Sequence, residues 1–293
     1  MVVFPNIKVN LGLYVLRKRQ DGYHDIATAM VGVDWCDVLE VGPIHRKDEL
    51  LTDNSTYPVA DSLLSSGIPI SCPPEKNLVM RAVKAVRSVR PDLPSVEVCL
   101  HKNVPDGAGL GGGSSDAAFT IRALNERFGL GMSDTLMADI ASGIGSDCPF
   151  FIYNNPMLAT GRGEILEPLP ELSSKLSGYN IVVVKPFGVA VSTTQAYAGI
   201  TPKDSRMPLT DILARSVTEW RHLLVNDFEE SISRFTDIPA KIKSVLYSLG
   251  AVYAAMSGSG SAVFGIFSAE DVQRTDFQDV FKDCNVHVGR FIL

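Results

Sequence analysis

The chain has 293 residues, of which 45% are hydrophobic and 20% are charged, a composition typical of globular proteins and unlike that of disordered or fibrous chains. At about 150 residues per domain, this length predicts two domains. The 27 basic and 33 acidic residues give a net charge of -6, without the broad positive field that attracts duplex nucleic acid. We therefore expect an enzyme or binding protein with no nucleic-acid partner.

Cysteine usage and hydropathy bear on the cellular compartment. The five cysteines are odd in number and show no C-x-x-C spacing, so we interpret them as reduced thiols. Pro5, Lys8 and Asn10 interrupt the apolar core that an N-terminal signal peptide needs. No apolar run approaches the roughly 20 residues that span a bilayer. These features predict a cytoplasmic protein with no membrane partner.

The first predicted elements are two extended stretches, residues 2–16 and 26–41, joined by the turn-rich segment RKRQDGYHD. Such an arrangement is typical of a hairpin with a long connection. A change to helical spacing follows Glu75 and predicts a helix that Pro91 and Pro94 end. Its apolar stripe is formed by Leu78, Val79, Ala82, Val83 and Val86.

The middle of the chain has the order strand, glycine-rich loop, helix. Residues 96–100 alternate between apolar and polar side chains, as in a half-buried strand. The loop PDGAGLGGGSSDAA follows, and apolar residues from Ala117 to Phe128 mark the next helix. Another helix is predicted to begin near Ser133. Beyond it, the apolar segment SDCPFFIY predicts a buried strand.

The proline-rich residues 155–178 are the predicted domain boundary, with an N-terminal domain of residues 1–160 and a C-terminal domain of residues 161–293. The second half contains a strand at IVVVKP, helices between about 192 and 249, and a strand pair around the tight turn SGSGS. Helices and strands mix throughout, which predicts the α+β fold class.

The glycine-rich loop is the strongest indication of function. Between the strand and the helix stand Gly107, Gly109, Gly111, Gly112 and Gly113. Without Cβ atoms, the backbone can approach a ligand closely and direct consecutive N–H groups at phosphate oxygens. Ser114 and Ser115, where the helix begins, add hydroxyls and the positive end of the helix dipole. A flexible serine-capped loop is the alternative, but so many glycines lose much entropy on folding, which favours phosphate binding.

Other phosphate-binding motifs fit this loop only in part. Gly107, Gly109 and Gly112 satisfy the dinucleotide pattern G-x-G-x-x-G, but Glu126 and Asp134 lie in or beside predicted helices, not at the end of a strand about 20 residues on. An NAD-binding oxidoreductase thus stays an alternative. No lysine follows the glycines, as a P-loop requires, and the H-R-D and D-F-G signatures of protein kinases are absent.

Three segments carry a resemblance to a known family. PDGAGLGGGSSDAA resembles the phosphate loop, PNIKVNLGLYV the opening strand and AMSGSGSAVFGIF the C-terminal glycine-rich turn of the GHMP kinases, which are named for galactose, homoserine, mevalonate and phosphomevalonate. The segments stand in the family's order and span nearly the whole chain. The resemblance implies a two-domain fold, with an N-terminal domain like the second domain of ribosomal protein S5 and a ferredoxin-like C-terminal domain. It also implies ATP as co-substrate, together with Mg2+, and a monomer or weak homodimer.

Within the family, the segments DGYH, GSDCPFFI and GRGEIL are most similar to one group of members. These members phosphorylate the 2-hydroxyl of cytidine-diphosphate methylerythritol, on the non-mevalonate route to isoprenoid precursors. The alternatives are another kinase of the family, of homoserine or mevalonate type, and a non-catalytic nucleotide-binding relative. Residues 44–74 show little likeness to the family.

The resemblance implies catalytic roles for two residues. Lys8 and Asp147 match the family's catalytic pair, in which the aspartate is the general base and the lysine orients it and balances its charge. On the sequence alone, a surface lysine at a strand end is the alternative for Lys8, and a helix or turn cap is the alternative for Asp147. No carboxylate cluster with metal-ligand spacing is visible, so we expect Mg2+ to arrive with the nucleotide and to touch at most a serine such as Ser114.

The same resemblance assigns further residues to the two substrates. Those implied to bind ATP, the last two at the adenine, are Pro105, Asp106, Gly107, Ala108, Gly109, Leu110, Gly111, Gly112, Gly113, Ser114, Ser115, Asn77 and Lys102. Those implied to bind the acceptor are Asn10, Tyr23, His24, Thr193, Tyr197, Gly258, Ser259 and Gly260. The flat rings among them would stack on cytosine, although core or interface positions are the ordinary alternative for aromatic side chains. Asp106 places a negative charge beside the phosphates, which weakens nucleotide binding unless the carboxylate is turned away or paired.

Overall fold

The computed structural model of the protein describes residues 1–44, 61–70, 72–203 and 206–293. Residues 45–60 and 71, which belong to the segment of little family likeness, lie outside the described residues. Contacts between Cα atoms divide the chain into two compact units. Unit 1 contains Met1–Pro5, Cys36–Val104 and Gly112–Tyr153, and unit 2 contains Asn6–Trp35, Pro105–Gly111 and Asn154–Leu293. Each unit combines several chain segments, and the predicted division between residues 160 and 161 stays a prediction.

Strands and helices are mixed along the whole chain, which confirms the α+β prediction. The strands are β1 Val2–Val3, β2 Asn6–Lys18, β3 His24–Cys36, β4 Val38–Pro43, β5 Ser62–Gly67, β6 Val96–Lys102, β7 Met157–Thr160, β8 Ile165–Pro168, β9 Asn180–Pro186, β10 Tyr253–Met256, β11 Val263–Phe267, β12 Cys284–Gly289 and β13 Phe291–Ile292. The helices are α1 Leu78–Val89, α2 Gly112–Arg127, α3 Asp134–Ser142, α4 Cys148–Tyr153, α5 Pro170–Leu176, α6 Thr193–Ala198, α7 Leu209–Leu213, α8 Trp220–Leu223, α9 Asp227–Ile232, α10 Ile238–Ser248, α11 Ala269–Arg274 and α12 Phe277–Val280. Short 3-10 helices cover Pro74–Lys76 and Val217–Glu219. None of the helices described is long and apolar enough to cross a bilayer.

Unit 1 is a sheet with helices packed on it. Its strand order is β1-β4-β6-β5, and β5 and β6 are its one parallel pair among the described strands. The helices α1 and α2 pack against each other, and α2 also contacts β4. The predicted helix α1, strand β6 and helices α2 and α3 are confirmed. A dinucleotide-binding fold needs a mostly parallel sheet, so this topology argues against the NAD-binding alternative.

The prediction of a buried strand at SDCPFFIY is wrong, because this segment forms helix α4. Residues 148–152 are all buried, so their uninterrupted apolar run carries no period that separates a strand from a helix. Pro149 is the second residue of α4, where its missing N–H has no partner to lose. Helix α2 also begins earlier than predicted, at Gly112 instead of at the serines.

Each of the two predicted extended stretches is in fact two strands in different sheets. The first stretch contains β1, which pairs with β4, and β2, which pairs with β3. The second contains β3 and β4, separated at Asp37, whose N–H donates to the Pro5 carbonyl oxygen. The predicted hairpin of β2 and β3 is confirmed. An extended sequence pattern alone does not reveal the change of sheet, because strand pairing depends on residues elsewhere in the chain.

Unit 2 contains two sheets. One has the order β13-β3-β7-β8 with β2 paired to β3, and the other is the antiparallel sheet β10-β11-β9-β12. The second sheet follows the element order β9, helices, β10, β11, helices, β12, which is that of a ferredoxin-like domain. The predicted strand at IVVVKP and the strand pair around SGSGS are confirmed as β9 and as β10 with β11. Strand β2 is buried along its first ten residues, so the polar side chains in this part of the strand lie inside the protein.

Candidate active site

Two polar side chains, Lys8 and Asn10, lie in the buried part of β2. Their exposed fractions are 3% and 1%. Residues two apart on a strand point to the same side, so the two side chains meet. The Lys8 Nζ donates a hydrogen bond to Asn10 Oδ1 at 2.6 Å and to the Gly109 carbonyl oxygen at 3.3 Å. The surface-lysine alternative for Lys8 is therefore wrong, and the side chain lies against the glycine-rich loop.

The first part of this loop, residues 105–111, packs on the turn between β10 and β11. Ser257 Oγ donates to the Gly109 carbonyl oxygen at 2.9 Å, and the Ala262 N–H donates to the Ala108 carbonyl oxygen at 3.1 Å. Gly109 has a φ of +75°, and Gly258, with a φ of +53°, approaches it so closely that an added Cβ would lie 3.0 Å from the Gly109 carbonyl oxygen. Two glycine-rich segments that are remote in sequence are thus in backbone contact.

The carbonyl groups and the amides of the loop differ in their hydrogen bonds. The carbonyl oxygens of Ala108, Gly109 and Leu110 all accept hydrogen bonds, the last from the Lys8 N–H at 2.9 Å. None of the amides from residue 106 to residue 111 donates a hydrogen bond to another described residue. Gly107 and Gly111 have φ values of +62° and +73°, which let successive amides converge. This arrangement is suited to binding an anion.

The second part of the loop is the first turn of α2. A helix of 16 residues presents unbonded N–H groups and a partial positive charge at this end. Ser115 is fully buried, and its Oγ has no hydrogen-bond partner among the described residues. A buried hydroxyl without a partner is rare, and contact of Ser115 with a phosphate stays a prediction. Ser114 hydrogen-bonds the Cys148 thiol, whose pKa burial raises to about 11, so this cysteine stays a thiol at neutral pH.

The turn that carries Gly258 is held by a residue that sequence reasoning missed. Asn226 is 3% exposed, and its Nδ2 donates to the Met256 carbonyl oxygen at 2.7 Å and to the Gly258 carbonyl oxygen at 2.8 Å. Its Oδ1 accepts from the Phe228 N–H at 2.9 Å and so caps α9. An asparagine before a helix is ordinarily a cap and nothing more, so the sequence holds no signal for the contact with the turn.

Lys102 and Asn77, which the family resemblance assigns to the adenine, have structural partners. Lys102 is 2% exposed, and its Nζ lies between the carboxyl groups of Asp37 and Asp116, 2.8 Å from Asp116 Oδ2. Burial raises the pKa of Asp116 to about 8. Asn77 caps α1 by accepting from the Val79 N–H at 2.9 Å. The contacts of Lys102 and Asn77 with adenine stay predictions.

Aromatic side chains assigned to the cytosine lie in unit 2. The rings of His24 and Tyr197 stack on each other, with centroids 4.7 Å apart and planes 15° apart. A base placed between two rings needs about 7 Å between them, since each stacked pair is separated by about 3.5 Å. Tyr23 is 57% exposed, with the Arg162 guanidinium 5.1 Å from its ring centroid. The 4.7 Å between the His24 and Tyr197 rings leaves no room for a base between them, and cytosine stacking on these rings stays a prediction.

Thr193, Ser259, Asp106 and Asp147 are further residues that the family resemblance assigns to the site. Thr193 Oγ1 lies 3.5 Å from Ser259 Oγ, which brings the start of α6 to the glycine turn. Asp106 is exposed, so solvent screens its charge. Asp147 is half-buried immediately before α4, and its role stays a prediction.

Comparisons with known proteins identify the family. A family model described as the N-terminal domain of GHMP kinases matches residues 77–155, and one described as the C-terminal domain of GHMP kinases matches residues 209–276. The chain is 43% identical to the 4-diphosphocytidyl-2-C-methyl-D-erythritol kinase of Parabacteroides distasonis, over 99% of each chain. It is 46% identical to the protein of that name from Porphyromonas gingivalis, over 96% of this chain and 98% of the relative. The chain belongs to the GHMP kinase family.

Solved structures of GHMP kinases share the fold. A crystal structure of a 4-(cytidine 5'-diphospho)-2C-methyl-D-erythritol kinase is 28% identical with a TM-score of 0.79, over 99% of each chain. A crystal structure of mevalonate kinase has a TM-score of 0.72 over 99% of each chain, at 12% identity. The second likeness shows the fold alone. The predicted two-domain GHMP kinase fold is therefore confirmed.

Proposed function

We propose that this GHMP kinase transfers the γ-phosphate of ATP to the 2-hydroxyl of 4-diphosphocytidyl-2-C-methyl-D-erythritol. The products are the 2-phosphate and ADP, on the non-mevalonate route to isoprenoid precursors. The observation that carries the proposal is identity of 43% to 46% over nearly the full length with kinases of that name. A homoserine- or mevalonate-type acceptor has less support, because the likeness to a mevalonate kinase is one of fold.

Phosphoryl transfer requires neutralised phosphate charge, an acceptor hydroxyl in line and a group that takes its proton. We assign the proton to Asp147 as general base and the local positive charge to Lys8. The ammonium of Lys8 is held by Asn10 and by the Gly109 carbonyl oxygen, so its position is set before substrate binds. Asn10 is assigned to the neighbourhood of the acceptor.

The nucleotide is assigned to the glycine-rich loop. Amides of residues 106–111 that are not used by the protein would hold the β- and γ-phosphates, as would the start of α2. Mg2+ enters with ATP as part of the substrate and neutralises charge on the phosphates. The Ser114 hydroxyl is the protein oxygen assigned to such an ion.

The acceptor is assigned to residues that stand before and after the loop in the sequence. The rings of Tyr23, His24 and Tyr197 offer stacking surfaces for cytosine, and the turn at Gly258 and Ser259 offers backbone groups.

We also propose that the protein is cytoplasmic and is a monomer or weak homodimer. Sedimentation analysis at several protein concentrations tests the oligomeric state.

The test is a coupled ADP-release assay that offers cytidine-diphosphate methylerythritol, mevalonate and homoserine in parallel. We expect release with the first acceptor alone. Release with mevalonate or homoserine alone would overturn the acceptor assignment, while the assignment as an ATP-dependent kinase would stand. ATP binding without release for any acceptor would favour a non-catalytic relative.

A further inference from the structure

A buried threonine, Thr28 on β3, connects the catalytic lysine to the backbone of β2. Thr28 is fully buried, and its Oγ1 donates a hydrogen bond to the Gly12 carbonyl oxygen at 2.5 Å. Thr28 Oγ1 also accepts a hydrogen bond from Asn10 Nδ2 at 3.0 Å. Asn10 Oδ1 in turn accepts from Lys8 Nζ at 2.6 Å. The four residues form one chain of hydrogen bonds inside unit 2.

Each bond in this chain has a direction that the chemistry of its end groups fixes. A carbonyl oxygen can only accept, so the single proton of the Thr28 hydroxyl is used on Gly12. Toward Asn10 the hydroxyl oxygen can then only accept, and it must face the amide NH2 group. That leaves the amide oxygen of Asn10 for Lys8, whose ammonium can only donate. The hydroxyl of Thr28 therefore sets the orientation of the Asn10 amide.

The backbone at Gly12, where this chain of hydrogen bonds ends, is itself held in place. Gly12 has a φ of +68°, and a Cβ at this position would lie 2.6 Å from Leu224 Cδ1, so its backbone conformation depends on glycine. Next to it, the Leu13 N–H of strand β2 donates a hydrogen bond to the Val225 carbonyl oxygen at 2.9 Å. The acceptor that orients Thr28 is thus part of rigid backbone and does not follow the side chains.

We propose that Thr28 is a positioning residue for phosphoryl transfer, which acts through Asn10 to hold the Lys8 ammonium beside the Gly109 carbonyl oxygen. The inference rests on the role given to Lys8 in the proposed function. Without the hydroxyl, the amide of Asn10 can rotate and present its NH2 group to the ammonium, which moves Lys8 away. A displacement of about 1 Å in a catalytic group can cost about a hundredfold in rate.

Two matched pairs of variants separate the hydroxyl from the packing of the methyl group. Thr28→Val keeps the shape of threonine and removes only the hydroxyl. Thr28→Ser and Thr28→Ala both remove the methyl group and differ from each other only in the hydroxyl. We expect Thr28→Val and Thr28→Ala to lower kcat by about 10- to 100-fold, and Thr28→Ser to recover most of it. The KM for ATP should change less than about threefold in all three, since the loop amides are untouched.

The measurement is steady-state kinetics with both substrates varied, with melting temperatures to verify folding. Equal kcat for Thr28→Ser and Thr28→Ala would overturn the inference, even if Thr28→Val does not fold. So would a wild-type kcat in Thr28→Val. A parallel Lys8→Ala variant separates the two proposals. If it is inactive while the threonine variants are not, only this inference fails, and if it keeps wild-type turnover, the role of Lys8 in the proposed function fails.

Discussion

A Cβ atom on residue 109 would lie 2.0 Å from the Ser257 carbonyl oxygen, so Gly109 and Ser257 meet backbone to backbone. Gly109 is required twice over, since its φ of +75° also disfavours any other residue. The glycine pattern of this loop therefore serves two purposes. One is close approach to phosphate, and the other is close approach to a turn 148 residues further along the chain.

Replacing Gly109 by alanine should destabilise the fold more than the same change at Gly107. At Gly109 the methyl group meets backbone that cannot move away, and we expect the free energy of unfolding to fall by about 3 kcal/mol or more. At Gly107 the φ is also positive, +62°, but no atom lies within 4 Å of an added Cβ. That variant should lose only about 1 to 2 kcal/mol. Urea denaturation of both variants is the measurement, and equal losses would contradict the packing argument.

Changing Asp147 to Asn should lower turnover by about two to four powers of ten, which is about 3 to 5 kcal/mol of barrier. The amide keeps the size of the carboxylate but cannot accept the proton of the acceptor hydroxyl. ATP affinity should be nearly unchanged. The measurement is kcat together with equilibrium binding of ATP.

The matched control is Asp139→Asn, an exposed aspartate in α3. It removes the same charge from the same unit and should leave kcat within about twofold of the wild type. Near-native turnover in the Asp147 variant would remove this residue from the mechanism.

Removing the ring of Tyr197 should weaken binding of the cytidine acceptor. Stacking of a base on an aromatic ring contributes about 1 to 3 kcal/mol, so Tyr197→Ala should raise the KM for the acceptor by about 5- to 150-fold. Tyr197→Phe keeps the ring that stacks on His24 and should stay close to the wild type. An unchanged acceptor KM in the alanine variant would place the cytosine elsewhere.

The buried carboxyl of Asp116 should make stability depend on pH. Burial raises its pKa to about 8 in the folded protein, from 3.8. Between these values only the folded chain holds the proton, so the contribution of this group to the free energy of unfolding falls as the pH rises from about 4 to about 8. Asp116→Asn removes that dependence. Urea denaturation at pH 5, 7 and 9 should show the wild type losing at least about 1 kcal/mol relative to the variant, and parallel curves would contradict the assignment.

Local patterns predicted most of the elements and the phosphate loop, because periodicity and glycine content are properties of short segments. Helix α4 was predicted wrongly, since a run that is buried on every side has no amphipathic period. The partners of Lys102 could not be predicted either. Asp37 and Asp116 lie 65 and 14 residues from it, and only the fold brings the three together.

The same limit applies to the site. The family resemblance pointed to Lys8 and Asn10, but the donor and acceptor directions that connect them to Thr28 depend on strand pairing. The stacked contact of His24 and Tyr197 could not be predicted either, because the family resemblance assigns both rings to the cytosine and not to each other. Motifs identify which residues are present, while the register of neighbouring strands determines what they touch.

The bonds that the Ala108 and Gly109 carbonyl oxygens accept from residues 257–262 have a consequence for biosynthesis. A nascent chain grows from its N-terminus at about 5 to 20 residues per second, so the phosphate loop leaves the ribosome well before these donors exist. Nucleotide affinity should therefore arise late in translation, when the last strands have been made. A ribosome-bound intermediate stalled before residue 257 would have the complete loop motif and bind ATP poorly.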